Sequence, residues 1–187
     1  MLLKPITISC VIVRRITIRI NMNVVIMPTE YKGTQVYFTE KKPNTHIPNS
    51  TFNRITYSTS DFIMNGVYIQ FELFVRQIEQ NFNSNIYNCL FEPSHEYNQT
   101  IISIFQRIES GILDKWLRLE HPSSPSSSSS SQRKKSTDII QQLRSGIISV
   151  WKNDFQYNDK PRFQHFIIKI SGVWENEGGC GLTYKFI

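Results

Sequence analysis

The chain has 187 residues, of which 40% are hydrophobic and 12% aromatic, enough apolar material for the core of one domain. It carries 21 Lys or Arg against 15 Asp or Glu, a net charge of +6 and a pI near 9.3, which favours a polyanionic partner over a basic one. Cys10, Cys89 and Cys180 fit neither a paired disulfide framework nor a metal knuckle, so we expect an intracellular location, nuclear or cytoplasmic.

The basic residues are concentrated in the two ends of the chain. Residues 1–70 hold eight Lys or Arg and three acids, residues 71–121 hold four and seven, and residues 122–187 hold nine and five. If both ends join one sheet, their positive charge forms a single face.

Apolar side chains occupy nearly every even position from Ile6 to Met27, which predicts half-buried β structure with a break near residues 21–23. Arg14, Arg15 and Arg19 interrupt this run. It therefore resembles neither a signal peptide nor a membrane span, and we expect no membrane association.

Three short strands are predicted next, over residues 34–39, 52–58 and 67–71. Turn residues separate them at positions 41–44 and at Asn65-Gly66, a pair typical of tight hairpins. Several short strands at this spacing are typical of a small barrel or sandwich.

The middle of the chain changes to helical spacing. We predict a short helix over 72–82, a longer one over 99–119, and a third whose apolar face runs from Ile139 to Trp151. Residues 122–136, "PSSPSSSSSSQRKKS", predict a disordered Ser-rich linker between the last two helices.

The last 22 residues predict a β-hairpin whose glycine-rich turn spans residues 175–181. Phe166, Ile168, Ile170 and Trp174 share one side of its first strand, which we expect to face the core. Lys169 and Lys185 would then lie on the exposed side.

Together these elements predict a single α+β domain over residues 1–187. We expect a small antiparallel β-barrel or sandwich with two or three helices and a C-terminal β-hairpin. The order of strands, helices and a terminal hairpin resembles, as a fold analogy only, an oligonucleotide-binding barrel.

Catalytic motifs do not emerge from the sequence. The four histidines stand alone, without an HExxH pair or a Gly-x-Ser-x-Gly elbow, and "GGCG" lacks the Lys-Ser/Thr of a phosphate loop. Asp61, Glu72 and Glu175 could build a metal-dependent nuclease, but without a recognisable spacing they are better explained as surface acids. We therefore expect no enzyme, no metal and no cofactor.

Binding is the better supported function, because the β-rich ends interleave cations with aromatic rings. Cations neutralise phosphates and exposed rings stack on bases, as single-stranded nucleic acid requires. The alternatives are that the rings fill the core, and that the protein is a structural or adaptor subunit of a complex. The predicted phosphate ligands are Arg14, Arg15, Arg19, Lys41, Lys42, Arg54, Lys169 and Lys185, and the predicted stacking rings are Tyr37, Phe52 and Tyr57.

Overall fold

The structure, a computed structural model, describes residues 24–45, 47–80, 85–120, 134–151 and 162–187. Within them lie ten strands, two α-helices and a 3₁₀ turn at Gly33–Gln35. The helices are α1 (Glu96–Glu120) and α2 (Asp138–Ser145). The strands are β1 (Val36–Phe38), β2 (Lys42–Pro43), β3 (Thr51–Ser58), β4 (Ile63–Asn65), β5 (Val67–Gln80), β6 (Ile86–Phe91), β7 (Lys134–Lys135), β8 (Ile147–Trp151), β9 (Arg162–Asn176) and β10 (Gly179–Phe186).

The strands form one largely antiparallel sheet with the order β1-β3-β9-β5-β6-β8. The long strand β9 organises it, because β5 and β3 pair in succession along one edge of β9 and β10 pairs along the other. The short strands β2 and β4 pair with β3, and β7 pairs in parallel with β10.

Both helices cover the same face of the sheet. Phe71 of β5 packs against Phe105 of α1 with ring centroids 4.8 Å apart, and Phe166 of β9 lies beside Phe71 at 5.7 Å. Leu143 of α2 is fully buried with Ile148 of β8. The apolar core therefore lies between the helices and one face of the sheet.

Two buried polar side chains tie the helices in place. The Asn98 amide of α1 accepts a hydrogen bond from the Phe74 amide and donates to the Phe74 carbonyl, at 2.9 and 3.1 Å. The buried Glu109 carboxylate accepts from the backbone amides of Ile139 and Ile140, at 3.0 and 3.1 Å, and so satisfies the first turn of α2. Burial raises the pKa of Glu109 despite these two bonds.

A bulge in β9 reverses the alternation of its side chains. Thr183 of β10 pairs with Gly172 and Tyr184 with Ile170, so Ser171 is the extra residue. Before the bulge Phe166, Ile168 and Ile170 face the core, as predicted. After it Val173 and Glu175 are buried instead, so the prediction that Trp174 shares the core side of the strand is wrong.

The strands predicted over 34–39 and 52–58 and the helix over 99–119 are confirmed as β1, β3 and α1. The helix predicted over 72–82 is wrong, because β5 continues as a strand to Gln80. A register shift between Val75 and Gln77 breaks the period-2 pattern there, which explains the misleading spacing.

The third predicted helix ends early. Gly146 adopts a left-handed conformation with φ of 76° and caps α2, after which Ile147–Trp151 turn back as β8. Asn65-Gly66 is not the predicted hairpin turn but joins β4 to β5. Gly66 has φ of 91°, and a Cβ there would lie 2.8 Å from the Ile170 carbonyl oxygen.

The C-terminal hairpin is confirmed, with a turn at residues 177–178 that is shorter than the predicted one. The broad α+β class is also confirmed, with two helices in the described residues. Across those residues the sheet runs from β1 to β8 as an open sheet.

Most of the predicted Ser-rich linker, residues 122–133, lies outside the described residues, as does the predicted β structure before residue 24. Lys134 and Lys135 form β7, and the Ser136 amide donates to the Cys180 carbonyl at 2.7 Å. Neither helix in the described part is long and apolar enough to cross a membrane.

Candidate nucleic-acid interface

The outer face of the sheet, opposite the helices, brings the predicted lysines of the terminal hairpin together. Lys169 of β9 and Lys185 of β10 are direct cross-strand partners, and both side chains point away from the core. Opposite side chains in an antiparallel pair have Cβ atoms about 5 Å apart. The Lys169 ammonium also lies 5.0 Å from the ring centroid of Tyr68, its partner on β5.

Arg54 and Lys42 extend this positive face across β3 and β2. Arg54 is exposed and pairs with Gly172 of β9, while Lys42 is exposed and pairs with Phe52. Because strands advance about 3.3 Å per residue, the cations spread over roughly 16 Å along β9. None of the four forms an ion pair with another described residue.

Two aromatic rings lie on the same face, each over a glycine. A Cβ at Gly181 would lie 2.7 Å from the Trp174 indole, and a Cβ at Gly172 would collide with the Phe52 ring. The two rings are cross-strand partners, and both are half-buried. Each ring thus covers a glycine and remains partly exposed to solvent.

Tyr37 is the third ring of this face. Its side chain is 55% exposed on β1, where it pairs with Thr56 and so lies diagonally across from Arg54. The Lys115 ammonium approaches to 5.3 Å from the ring centroid. We call the set Lys42, Arg54, Lys169, Lys185, Tyr37, Phe52 and Trp174 the basic–aromatic surface.

Two of the predicted binding residues are placed elsewhere. Tyr57 is only 1% exposed, and its hydroxyl accepts a hydrogen bond from the Lys32 amide, so its ring is a core ring and cannot stack on a base. Lys41 donates to the buried Glu175 carboxylate at 2.6 Å and lies 3.6 Å from Glu120. The Lys41 charge is thus neutralised on the helix side of the sheet.

Arg14, Arg15 and Arg19 lie outside the described residues. The basic–aromatic surface is therefore built from the described parts of the first and last thirds of the chain.

The far end of the outer face has a different character. Glu72 of β5 forms an ion pair with His165 of β9 at 3.0 Å and accepts a hydrogen bond from the Tyr97 hydroxyl at 3.2 Å. Beside them Phe74 and Phe163 pack edge to face at 5.4 Å. Burial and the Glu72 carboxylate raise the pKa of Tyr97.

The alternative metal site does not assemble. Glu72 lies on the outer face, Glu175 is buried beside Lys41, and Asp61 lies in the turn between β3 and β4. The described residues hold no group of three or more His, Cys, Asp or Glu side chains placed to bind a metal ion.

Sequence reasoning missed Trp174 as a surface residue, because unbroken alternation assigns it to the core. Gly172 carried the signal, since a glycine inside a strand often marks a bulge or a close approach. Comparison of the chain with models of protein families, with curated proteins and with solved structures gave no match.

Proposed function

We propose that the protein is a non-catalytic nucleic-acid-binding protein that prefers single strands and binds them on the basic–aromatic surface. Lys42, Arg54, Lys169 and Lys185 contact phosphates, and Phe52, Trp174 and Tyr37 stack on bases. The proposal implies a nuclear or cytoplasmic location, where nucleic acid and reduced cysteines coexist.

One observation carries the proposal, namely the direct pairing of Lys169 with Lys185 on the outer face. Like charges opposite one another in a sheet repel and reduce stability. A phosphate between the two ammonium groups reverses that repulsion, so the pair is suited to a polyanion.

The rings supply the preference for single strands. Bases in a duplex are stacked on one another, whereas unpaired bases can stack on the exposed parts of the Phe52 and Trp174 rings. Every base has an aromatic face, so this contact is tolerant of sequence.

The resemblance to an oligonucleotide-binding barrel is part of the same proposal. Barrels of the oligonucleotide-binding type bind their ligands on a strand face. We propose this resemblance as an analogy in the mode of binding, with cations and rings on the exposed side of a sheet.

The test is fluorescence anisotropy of labelled single-stranded DNA and RNA of about 20 nucleotides, and of the matching duplex, over a series of salt concentrations. We expect binding of the single strands that weakens linearly in log–log form with salt, with a slope near −3 for four phosphate contacts. Absence of binding at low salt, binding without a salt slope, or tighter binding of the duplex would each contradict the proposal.

The second candidate is a structural or adaptor subunit. Its support is a set of large apolar side chains exposed outside the basic–aromatic surface, among them Ile63 and Leu119. Single exposed apolar residues are common on protein surfaces, so this support is weaker. Co-purification as a stoichiometric complex, without affinity for oligonucleotides, would favour this candidate.

A further inference from the structure

The strand β8 (Ile147–Trp151) is an edge of the sheet within the described residues, where it pairs only with β6. Proteins usually protect such edges with charged side chains, proline or a bulge. The β8 sequence, Ile-Ile-Ser-Val-Trp, has no charged residue and no proline, and its pairing with β6 is regular over all five residues.

The outer face of this edge is apolar. Ile147 is 42% exposed and Trp151 is 54% exposed, and their cross-strand partners on β6 are the half-buried Leu90 and Ile86. Between these two apolar pairs the Ser149 hydroxyl donates to the Asn88 side chain at 2.8 Å. The strip thus has apolar ends and a polar centre.

The backbone pattern shows which groups point to the edge. The Phe91 amide donates to the Gly146 carbonyl at 2.9 Å, so residues 146, 148 and 150 direct their backbone groups toward β6. The alternation of an antiparallel ladder then directs the amides and carbonyls of Ile147, Ser149 and Trp151 away from β6, toward the edge of the sheet.

We infer that β8 pairs antiparallel with β8 of a second copy of this chain, about a two-fold axis at Ser149. This register places Ser149 opposite Ser149, Ile147 opposite Trp151, and Ile148 opposite Val150. Apolar side chains meet apolar ones on the outer face, and the buried positions next to α2 meet each other.

The self-complementary pattern of β8 identifies a second copy of this chain as the partner. In a two-fold interface residue i contacts residue j of the other copy and j contacts i, and the apolar–polar pattern of β8 is symmetric about Ser149 on both faces. The backbone groups of Ile147, Ser149 and Trp151 would form six hydrogen bonds across the axis, two for each of three pairs. The two copies would share one continuous sheet.

The interface is small, since it comprises two five-residue strands and their flanking apolar strips. Interfaces of this size are typical of weak, reversible association. We expect the chain to dimerise at protein concentrations of about 10–100 μM and to be monomeric at about 1 μM.

The test is sedimentation equilibrium of the full chain from about 1 to 200 μM. Ser149→Lys brings two cations together at the axis, and we expect at least a tenfold weaker association. Ser103→Lys, which adds the same charge on the exposed side of α1, is the matched control and should leave association unchanged. A wild-type monomer at 200 μM, or a dimer that survives Ser149→Lys, would overturn the inference.

A second variant guards against a folding defect in the first. Cα atoms of a hydrogen-bonded antiparallel pair lie about 5.5 Å apart, within the range of a disulfide. Ser149→Cys, made in a Cys10→Ser background, should therefore form an intermolecular disulfide under mild oxidation, while Ser103→Cys should not. A wild-type monomer whose Ile147 and Ser149 amides exchange slowly would show that another segment of the chain covers this edge, which also overturns the inference.

Discussion

The two ends of the outer face of β9 use charge in opposite ways. At one end Glu72 and His165 form an ion pair, and Tyr97 donates to the same carboxylate. At the other end Lys169 faces Lys185, and no described acid pairs with either. The charges of the first end are paired within the molecule, whereas the two lysines of the second have no acidic partner among the described residues.

The aromatic rings differ in the same way. Phe163 and Phe74 pack edge to face against each other, while Trp174 and Phe52 each lie over a glycine and remain partly exposed. A partly exposed ring offers a surface on which a base can stack. The comparison therefore predicts that ligand binding is confined to the basic end.

The largest effect should follow from removal of the two rings that lie over glycines, Phe52 and Trp174. Phe52→Leu with Trp174→Leu keeps the glycines covered but removes base stacking, which is worth about 1–3 kcal/mol per base. We expect about a 100-fold loss of affinity for single-stranded oligonucleotides in the anisotropy assay.

Phe163→Leu is the matched control for this double variant, because Phe163 is 51% exposed on the same face at the other end. Its affinity should stay within about twofold of wild type. An equal loss in both variants would remove the distinction between the two ends.

Reversal of the charge at Lys185 tests the role of the Lys169–Lys185 pair in stability and in binding. Lys185→Glu replaces a repulsive cross-strand pair with an attractive one, so the free energy of unfolding should rise by about 0.5 kcal/mol. Oligonucleotide affinity should fall about 25-fold at 0.1 M salt, because the substitution lowers the net charge of the surface by two. Chemical denaturation and anisotropy measure the two changes, and a fall in both stability and affinity would contradict the account.

Adjacent lysines on opposite sides of the sheet provide a matched pair. Lys42→Ser should lower affinity about fivefold at 0.1 M salt and leave stability unchanged. Lys41→Ser should leave affinity unchanged but lower the free energy of unfolding by about 1–2 kcal/mol, because the buried Glu175 carboxylate loses an ammonium partner at 2.6 Å. The reverse assignment of the two effects would show that the faces are misassigned.

The smallest expected effect is the pH dependence of Tyr97, which lies beside Glu72 at the far end of the outer face. Burial and the Glu72 carboxylate raise the pKa of Tyr97. In an alkaline titration followed by tyrosinate absorbance, this tyrosine should therefore ionise at a higher pH than an ordinary tyrosine. Because the folded pKa exceeds the unfolded pKa, the associated stability is present below pH 10 and is lost as pH rises through the folded pKa.

Glu72→Gln should lower that pKa, and Tyr97→Phe identifies the transition that belongs to Tyr97. An unchanged titration in Glu72→Gln would show that the carboxylate does not act on Tyr97.

The fold was predictable from the sequence wherever a single period held over a whole element. The helical face of Ile101, Phe105, Ile108 and Ile112 predicts α1, and regular alternation predicts β3 and β10. The period failed where one residue interrupted it, as at Ser171 in β9 and near Arg76 in β5. A one-residue bulge exchanges the faces of every later side chain, and tertiary pairing rather than local sequence decides where it occurs.

The candidate site was predictable in its charges and only partly in its rings. Lys169 follows from its alternation with Ile168 and Ile170, and Lys185 from its alternation with Tyr184 and Phe186. Lys42 and Arg54, predicted as phosphate ligands, are exposed on the same face. Tyr57 and Lys41 could not be placed correctly, because their contacts with Lys32 and Glu175 join segments far apart in the chain.

The central claim is that Lys42, Arg54, Lys169 and Lys185 together bind the phosphates of a single strand. The most direct measurement is the salt dependence of oligonucleotide affinity for the wild type and for the variant in which all four are serine. Each phosphate contact contributes about −0.7 to the log–log slope for single strands, so the account predicts that the slope becomes less steep by nearly 3 units. Equal slopes for the two proteins would contradict it.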